Sequence, residues 1–362
     1  MSTRRRLLLS LLMAGIMLLG LALSSAHGHA SPYEPTRYTI TGSHVAIYNL
    51  VGSLEVVRGD GASVVAEVTY KGKDAARLNV ATGAIDGNQT LRVIYPGDRI
   101  LVPEFGENTT SSMRVREDGT FGGKGHEHSG RKVMLVGQGD GLEAGADIRL
   151  LIPAGKKADV FWGHGRCDVS RIDADLSLDG ASMPVTATGI KGSLHVDIGS
   201  GHVHVEDATA EIWIDTGSGE VSLAGVRANS IEVDTGSGEV TGNGLTATNV
   251  SIDTGSGSVR VGKLKAEKVS LDTGSGEVMA ELSGGIQSIE IDSGSGDVTV
   301  TIPKTFGAEL SVETGSGGIE TNLTLETSVR KHDELVGRIG DGKGKLTIET
   351  GSGTVSIRQA GL

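Results

Sequence analysis

Residues 231–240 read IEVDTGSGEV, and the phrase returns as VSIDTGSGSV at 250–259 and VSLDTGSGEV at 269–278. Another Asp-Thr-Gly-Ser-Gly begins at Asp215, and close variants begin at Asp197, Asp292, Glu313 and Glu349. The first glycines of seven successive copies, Gly199 to Gly315, lie 18, 19, 19, 19, 20 and 21 residues apart. A fixed period of this size marks a solenoid, in which each repeat is one coil that must stack on its neighbours to bury its apolar face.

Aligning the copies on their glycines gives columns. Ile212, Ile231, Val250, Val269 and Ile289 share one position, and Ile214, Val233, Ile252, Leu271 and Ile291 lie two residues later, on the same strand face. Val221, Val240, Val259, Val278 and Val298 form a third column beyond the glycines. Val226, Leu245 and Leu264 form a fourth, beside Ala228, Ala247 and Ala266. The columns are mostly β-branched, which suits a close-packed pleated interior. Between them, Glu232, Ser251, Ser270 and Glu290 read as outward-facing. Three short apolar patches per coil predict an all-β parallel β-helix (β-solenoid) of about 19 residues per rung with about three faces, right-handed. About ten rungs from Pro153, at ~4.8 Å each, give a rod on the order of 45 Å long. Pro184 and Pro303 bracket a proline-free interior, as a continuous amide ladder requires.

The N-terminal side is less regular. Residues 1–30 read as a cleaved signal peptide of the general secretory route: Arg4, Arg5 and Arg6 precede an apolar run from Leu7 to Leu23 and small residues at Ser24–Ala26 and Gly28–Ala30. The competing reading is an uncleaved anchor, for which that run is short. Residues 31–155 form an irregular β region, with a polar, Gly-rich segment at 104–132 expected as a mobile loop. The solenoid domain then spans 156–362, with a charged insertion near 329–343. Its last coil, around Gly353, is followed by no obvious cap, which invites end-to-end self-association.

Composition excludes several functions. Removing the signal takes away three arginines and no acids, leaving 30 basic against 45 acidic residues and a net charge of −15. Such a chain is a poor partner for nucleic acid or anionic membranes. Aromatics are only 3%, few for a sugar- or base-stacking surface. Trp162 and Trp213 fall in strands and read as packing residues, and the single cysteine, Cys167, permits no internal disulfide.

Three readings compete for the repeated corner. It is structural if its glycines adopt positive-φ turns while Asp and Thr bond the exposed amides. An aspartic-protease reading of Asp-Thr-Gly needs two carboxylates that share a proton, whereas a linear array singles out no pair. Cation binding is the third: stacking places Asp215, Asp234, Asp253 and Asp272, with Asp292, in one column, where neighbours repel by roughly 1 kcal/mol in water. Calcium could sit between them, although the nine-residue calcium β-roll repeat is absent. His195, His202 and His204, with Asp197 or His164, are weak transition-metal candidates. The His27-Gly28-His29 stretch could chelate copper or nickel at a freed amino terminus. No nucleophile triad, phosphate-cradling loop or paired-cysteine zinc motif stands out, so no catalytic or cofactor residues are expected.

The chain resembles the bacterial "putative adhesin" β-strand-repeat family, a domain of unknown function. The likeness rests on the Asp-Thr-Gly-Ser-Gly-Glu-Val rungs, on Val298–Pro303 leading to Glu313-Thr314-Gly315-Ser316-Gly317, on the Gly337–Gly344 insertion and closing Glu349–Gly353, and on Leu151–Gly155. It implies a surface or envelope protein and carries no catalytic residues. The expectation is an exported, periplasmic or cell-surface, non-catalytic interaction module that binds an envelope component or another protein. A carbohydrate-binding or carbohydrate-cleaving protein on a β-helix scaffold is the alternative.

Overall fold

The computed structural model describes residues 34–105, 109–123 and 129–360; the signal segment and the His27-Gly28-His29 chelate lie outside them. Among the described residues the regular elements are all strands except for one 3₁₀ turn, Ala75–Arg77. A fourteen-stranded and a fifteen-stranded sheet share one continuous apolar core, and a small three-stranded sheet stands beside them. Each regular coil gives one strand to each large sheet. Thr209–Thr216 is followed by Val221–Ala224, and Ser230–Thr235 by Val240–Asn243. The glycine-aligned columns are the ladder partners: Ile212 pairs with Ile231, Ile231 with Val250, Val250 with Val269 and Val269 with Ile289, all in parallel register. Alternation then dictates burial, since Ile231 and Val233 are inside while Glu232 and Asp234 between and beyond them face out.

The coil has two sheets, not the three faces expected. The third apolar patch, Val226, Leu245 and Leu264, is buried, but its neighbours Arg227, Thr246 and Lys265 join one another only by isolated parallel bridges, and a strand runs through this patch only at Val259–Lys265. A tight left-handed corner just before that patch leaves too few extended residues for a third full strand. This corner recurs at Arg171, Gly189, Asp207, Gly225, Gly244 and Lys263, all with φ between 51° and 70°.

The stack also crosses residue 155 without a break. His44–Val51 pairs in parallel with Lys157–His164, and Leu54–Arg58 with Cys167–Ser170, so residues 44–58 are themselves a coil. The long excursion that separates them in sequence hides this. Part of that excursion, the 104–132 segment expected as a loop, instead contributes Thr110–Val115 and the start of Arg131–Val136 to the three-stranded sheet, with Val115, Phe121 and Val133 buried.

At the other end the stacking order departs from chain order. Gly344–Thr350 lies between Ser288–Ser293 and Ala308–Thr314, and Val355–Gln359 lies between Val298–Ile302 and Ile319–Thr321. The last coil in sequence is thus an interior coil. Of the coil displaced outward, Ala308–Thr314 is covered by the antiparallel hairpin Glu326–Arg330 and Glu334–Ile339 from the charged insertion, while Ile319–Thr321 is the edge of the fourteen-stranded sheet. The bare C-terminal coil, from which end-to-end pairing was expected, is not at the end of the stack.

Candidate functional site

The Asp-Thr-Gly-Ser-Gly corner is explained by close approach between coils. A Cβ on Gly257 would lie 1.7 Å from the Gly238 carbonyl oxygen, and one on Gly296 1.7 Å from that of Gly276. The first glycines are nearly as tight, with 2.5 Å from a Gly255 Cβ to the Gly236 oxygen. At this second glycine only early copies keep the expected positive φ, Gly201 at 136° and Gly219 at 148°; Gly238, Gly257, Gly276 and Gly296 do not, and the tight left-handed turn recurs at the opposite corner. The threonine is turned inward and links coils. Thr273 Oγ1 donates to Gly257 O (2.8 Å) and accepts from Gly276 N–H (3.0 Å), and Thr254, Ser293, Thr350 and Thr314 repeat the pattern. Each link satisfies a donor and an acceptor that burial would otherwise leave costly.

The aspartate points outward and stacks. Asp179, Asp197, Asp215, Asp234, Asp253, Asp272, Asp292, Glu349, Glu313 and Glu334 are consecutive ladder partners, so one carboxylate column runs along the outer face of the fifteen-stranded sheet. Partial burial and the neighbouring carboxylates raise the pKa values of Asp215, Asp253 and Asp272. Protonation of one carboxylate relieves the next, in accord with like-charge coupling.

At its N-terminal end this column meets aromatic rings. The coil before Asp179 has Phe161 in the same position, and the coil before that has Tyr48. Phe161 and Tyr48 stack at 4.6 Å between centroids and 4° between planes, with Phe121 edge-on to Tyr48 at 5.8 Å. The tip of the small sheet bends over them: a Cβ on Gly122, whose φ is +63°, would stand 3.0 Å from Phe161 Cδ1 and 3.3 Å from Asp179 Oδ2. This overhang encloses a groove of about 780 Å³ lined by Phe161, Asp179, Asp197, Ser177, His195 and Asp175 among others. Burial, followed by the charge of Asp197, pushes the Asp179 pKa up to about 6. Two other groove carboxylates have partners, His44 Nε2 at 2.6 Å from Asp159 and Ser193 Oγ donating to Asp175 at 2.9 Å.

The histidine candidates separate. His195 lies on the outer face of the fifteen-stranded sheet, its ring stacked on Trp213 at 3.8 Å and 10°. His202 precedes, and His204 lies within, strand Val203–Glu206 of the other sheet, where His204 Nε2 is 3.8 Å from Glu206. Among the described residues, no three His, Cys, Asp or Glu side chains are placed to hold a metal ion. Trp162 is buried and donates from Nε1 to Gly52 O (2.9 Å), whereas Trp213 lies outside the core. Sequence reasoning missed the groove. Tyr48, Phe121 and Phe161 meet there in a chain with only 4 Phe, 5 Tyr and 2 Trp, but no spacing connects those three positions.

A protein-family model described as Toastrack DUF4097 matches residues 102–358. No curated protein matches the chain. Among solved structures, a "putative cell adhesion protein" from Clostridium sporogenes is similar at 12% identity with a TM-score of 0.19, over 90% of this chain and all of that one. A "Putative lipid binding protein" from Parabacteroides distasonis is similar at 14% identity with a TM-score of 0.33, over 90% of this chain and 98% of that one.

Proposed function

The chain belongs to the Toastrack DUF4097 family, and on that premise we propose that it is an exported, non-catalytic β-solenoid that serves as an adhesin-like interaction module of the cell envelope. The observation that carries this reading is the unbroken carboxylate column on a long sheet face. A rigid face of repeated side chains suits a partner engaged along its length better than a small substrate held at one point. In this reading the coil is right-handed and about 19 residues long, and the leader at 1–30 directs the chain to the periplasm or cell surface. The partner is an envelope component or another protein, not nucleic acid, and no catalytic cofactor is required. Calcium between column carboxylates is a subordinate proposal, to be tested by a calcium-dependent rise in melting temperature. End-to-end self-association is a further subordinate proposal: the hairpin at 326–339 covers that end in one sheet while Ile319–Thr321 leaves an open edge in the other, and a strict monomer by light scattering at high concentration would count against it.

A carbohydrate-directed reading has one observation in its favour, the outward Trp213 ring beside the groove carboxylates. Stacking of His195 on one face of that ring reduces the platform a sugar could use. The test is co-sedimentation of mature protein with purified sacculi and, separately, with outer-membrane vesicles. Enrichment in one pellet is expected; protein left wholly in both supernatants would overturn the envelope reading.

A further inference from the structure

Asp179 occupies an unusual position in the carboxylate column. On one side its ladder neighbour is Asp197, a like charge, and on the other it is Phe161. Because Phe161 stacks one ring face on Tyr48, the coil beyond it, the opposite face is turned along the ladder toward the Asp179 coil. An aromatic face carries negative charge density and repels an anion, while it attracts a cation. A carboxylate at this point is therefore disfavoured from both sides, and the Gly122 overhang limits the water that could relieve it.

Among the described residues, no groove side chain forms an ion pair that supplies the missing positive charge to Asp179 or Asp197. His44 is engaged with Asp159. Lys157 is the ladder partner of Asp175, four residues along the strand from the Phe161 position, or about 13 Å at the usual strand rise. His195 lies two residues from the Asp197 position and stacks on Trp213, and its charge acts on Asp215, one coil beyond Asp197. Neither Asp179 nor Asp197 has an ion pair among the described residues. A ring face, two carboxylates without an ion pair among the described residues and an overhung groove fit one chemistry.

We propose that this groove binds an organic cation, an ammonium or guanidinium group seated between the Phe161 ring face and the Asp179 and Asp197 carboxylates. A hard metal ion fits less well, since it needs several converging oxygen ligands and no three-residue ligand set is present among the described residues. An alkylammonium or guanidinium ion gains from the ring as well as from the carboxylates. Such a group could arrive as a free polyamine or as a Lys or Arg side chain of a protein partner. The proposal deepens the interaction-module reading by naming what one end of the acidic face recognises. It is tested with purified protein and no envelope, so the two can fail separately.

The experiment is isothermal titration of the mature full-length chain at pH 7.5 and low salt with two probes, spermidine and a capped Ala-Arg-Ala peptide. One saturable site per chain is expected for at least one probe. Asp179→Asn and Phe161→Leu should each weaken it at least ten-fold, while Asp253→Asn, in the same column far from the groove, changes it less than two-fold. Asp179→Asn removes a charge repulsion, so that variant should melt no lower than the parent, separating lost binding from lost folding. Tighter binding of spermidine points to a free polyamine, and tighter binding of the peptide to a protein side chain. Lack of saturation by both probes would overturn the proposal. So would several equivalent sites per chain, or equal weakening by Asp253→Asn, either of which would mark a diffuse counter-ion effect of the whole column.

Discussion

Asp253 and Asp179 stand in one column of one sheet, four coils apart in the ladder, yet their surroundings have little in common. Asp253 is flanked by coils that carry the same Asp-Thr-Gly-Ser-Gly phrase, open to solvent, and its inward neighbour Thr254 belongs to the buried relay. Asp179 lies under the tip of the small sheet, against a phenyl ring, and its inward neighbour Gly180 takes no part in that relay. The repeat therefore builds a scaffold whose chemistry is uniform by construction. Individual chemistry appears where the repeat degenerates, at the coils that carry Phe161, Asp179 and His195 in place of the standard phrase. The most repeated residues of this chain are its structural ones.

The largest effect that could break this contrast comes from glycine. Gly276→Ala in the regular corner would drive a methyl to 1.9 Å from the Gly257 carbonyl oxygen, a clash with backbone that no rotamer relieves. A loss of about 4 kcal/mol or more is expected, among the large single-residue effects, read as failure to express or as a collapsed urea midpoint. Gly122→Ala meets only the edges of Phe161 and Asp179, at 3.0 and 3.3 Å. It should cost about 1–2 kcal/mol for its left-handed φ and leave the stack intact. Equal effects from the two would abolish the distinction between scaffold and groove.

The next effect sharpens it through pH. The Asp179 pKa is raised from 3.8 to about 6 in the folded protein. Below about pH 4 the carboxyl is neutral in both states and its repulsion is absent. Between about pH 4 and 6 the unfolded chain ionises while the folded one holds its proton, so stability falls as pH rises, by roughly 2–3 kcal/mol in total. Above about pH 6 the loss is complete. Asp179→Asn should raise the melting temperature at pH 7 and flatten the slope between pH 4 and 6. Asp253→Asn, at a more open site, should alter that slope much less. An unchanged slope in Asp179→Asn would mean that the burial under Gly122 and Phe161 is not effective in solution.

How far these features were legible depends on whether identity or place mattered. The period, the apolar columns and the in-register carboxylates could be read directly, because a parallel stack repeats its register at every coil and Ile231 can only face Ile212 and Val250. The reason for the glycines could not be read, since close approach and positive φ both select glycine, and only geometry separates Gly257 from Gly225. Nor could the C-terminal order. Residues 310–317 and 346–353 carry nearly the same phrase, so either could dock on Ser288–Ser293 in the same register, and the sequence does not order two interchangeable coils. The groove was hidden for a third reason: Tyr48, Phe121 and Phe161 come from an early coil, an excursion and a degenerate coil, and only the folded path brings them together.

The smallest predicted difference lies within the repeat itself. Thr254 and Thr235 occupy equivalent buried positions with almost the same neighbours, but Thr254 Oγ1 donates to Gly238 O at 3.1 Å and accepts from Gly257 N–H at 3.0 Å, while Thr235 Oγ1 is buried with no hydrogen-bond partner. Valine matches threonine in shape and lacks the hydroxyl. Thr254→Val strands a donor and an acceptor on two coils and should cost about 1–3 kcal/mol. Thr235→Val removes a hydroxyl that was already desolvated without compensation, so it should be neutral or slightly stabilising. Paired urea melts of the two variants measure the value of the inter-coil link with chemistry and burial held nearly constant. If both lose the same stability, the threonine column acts through packing alone, and close approach at the glycines is what holds the corners together.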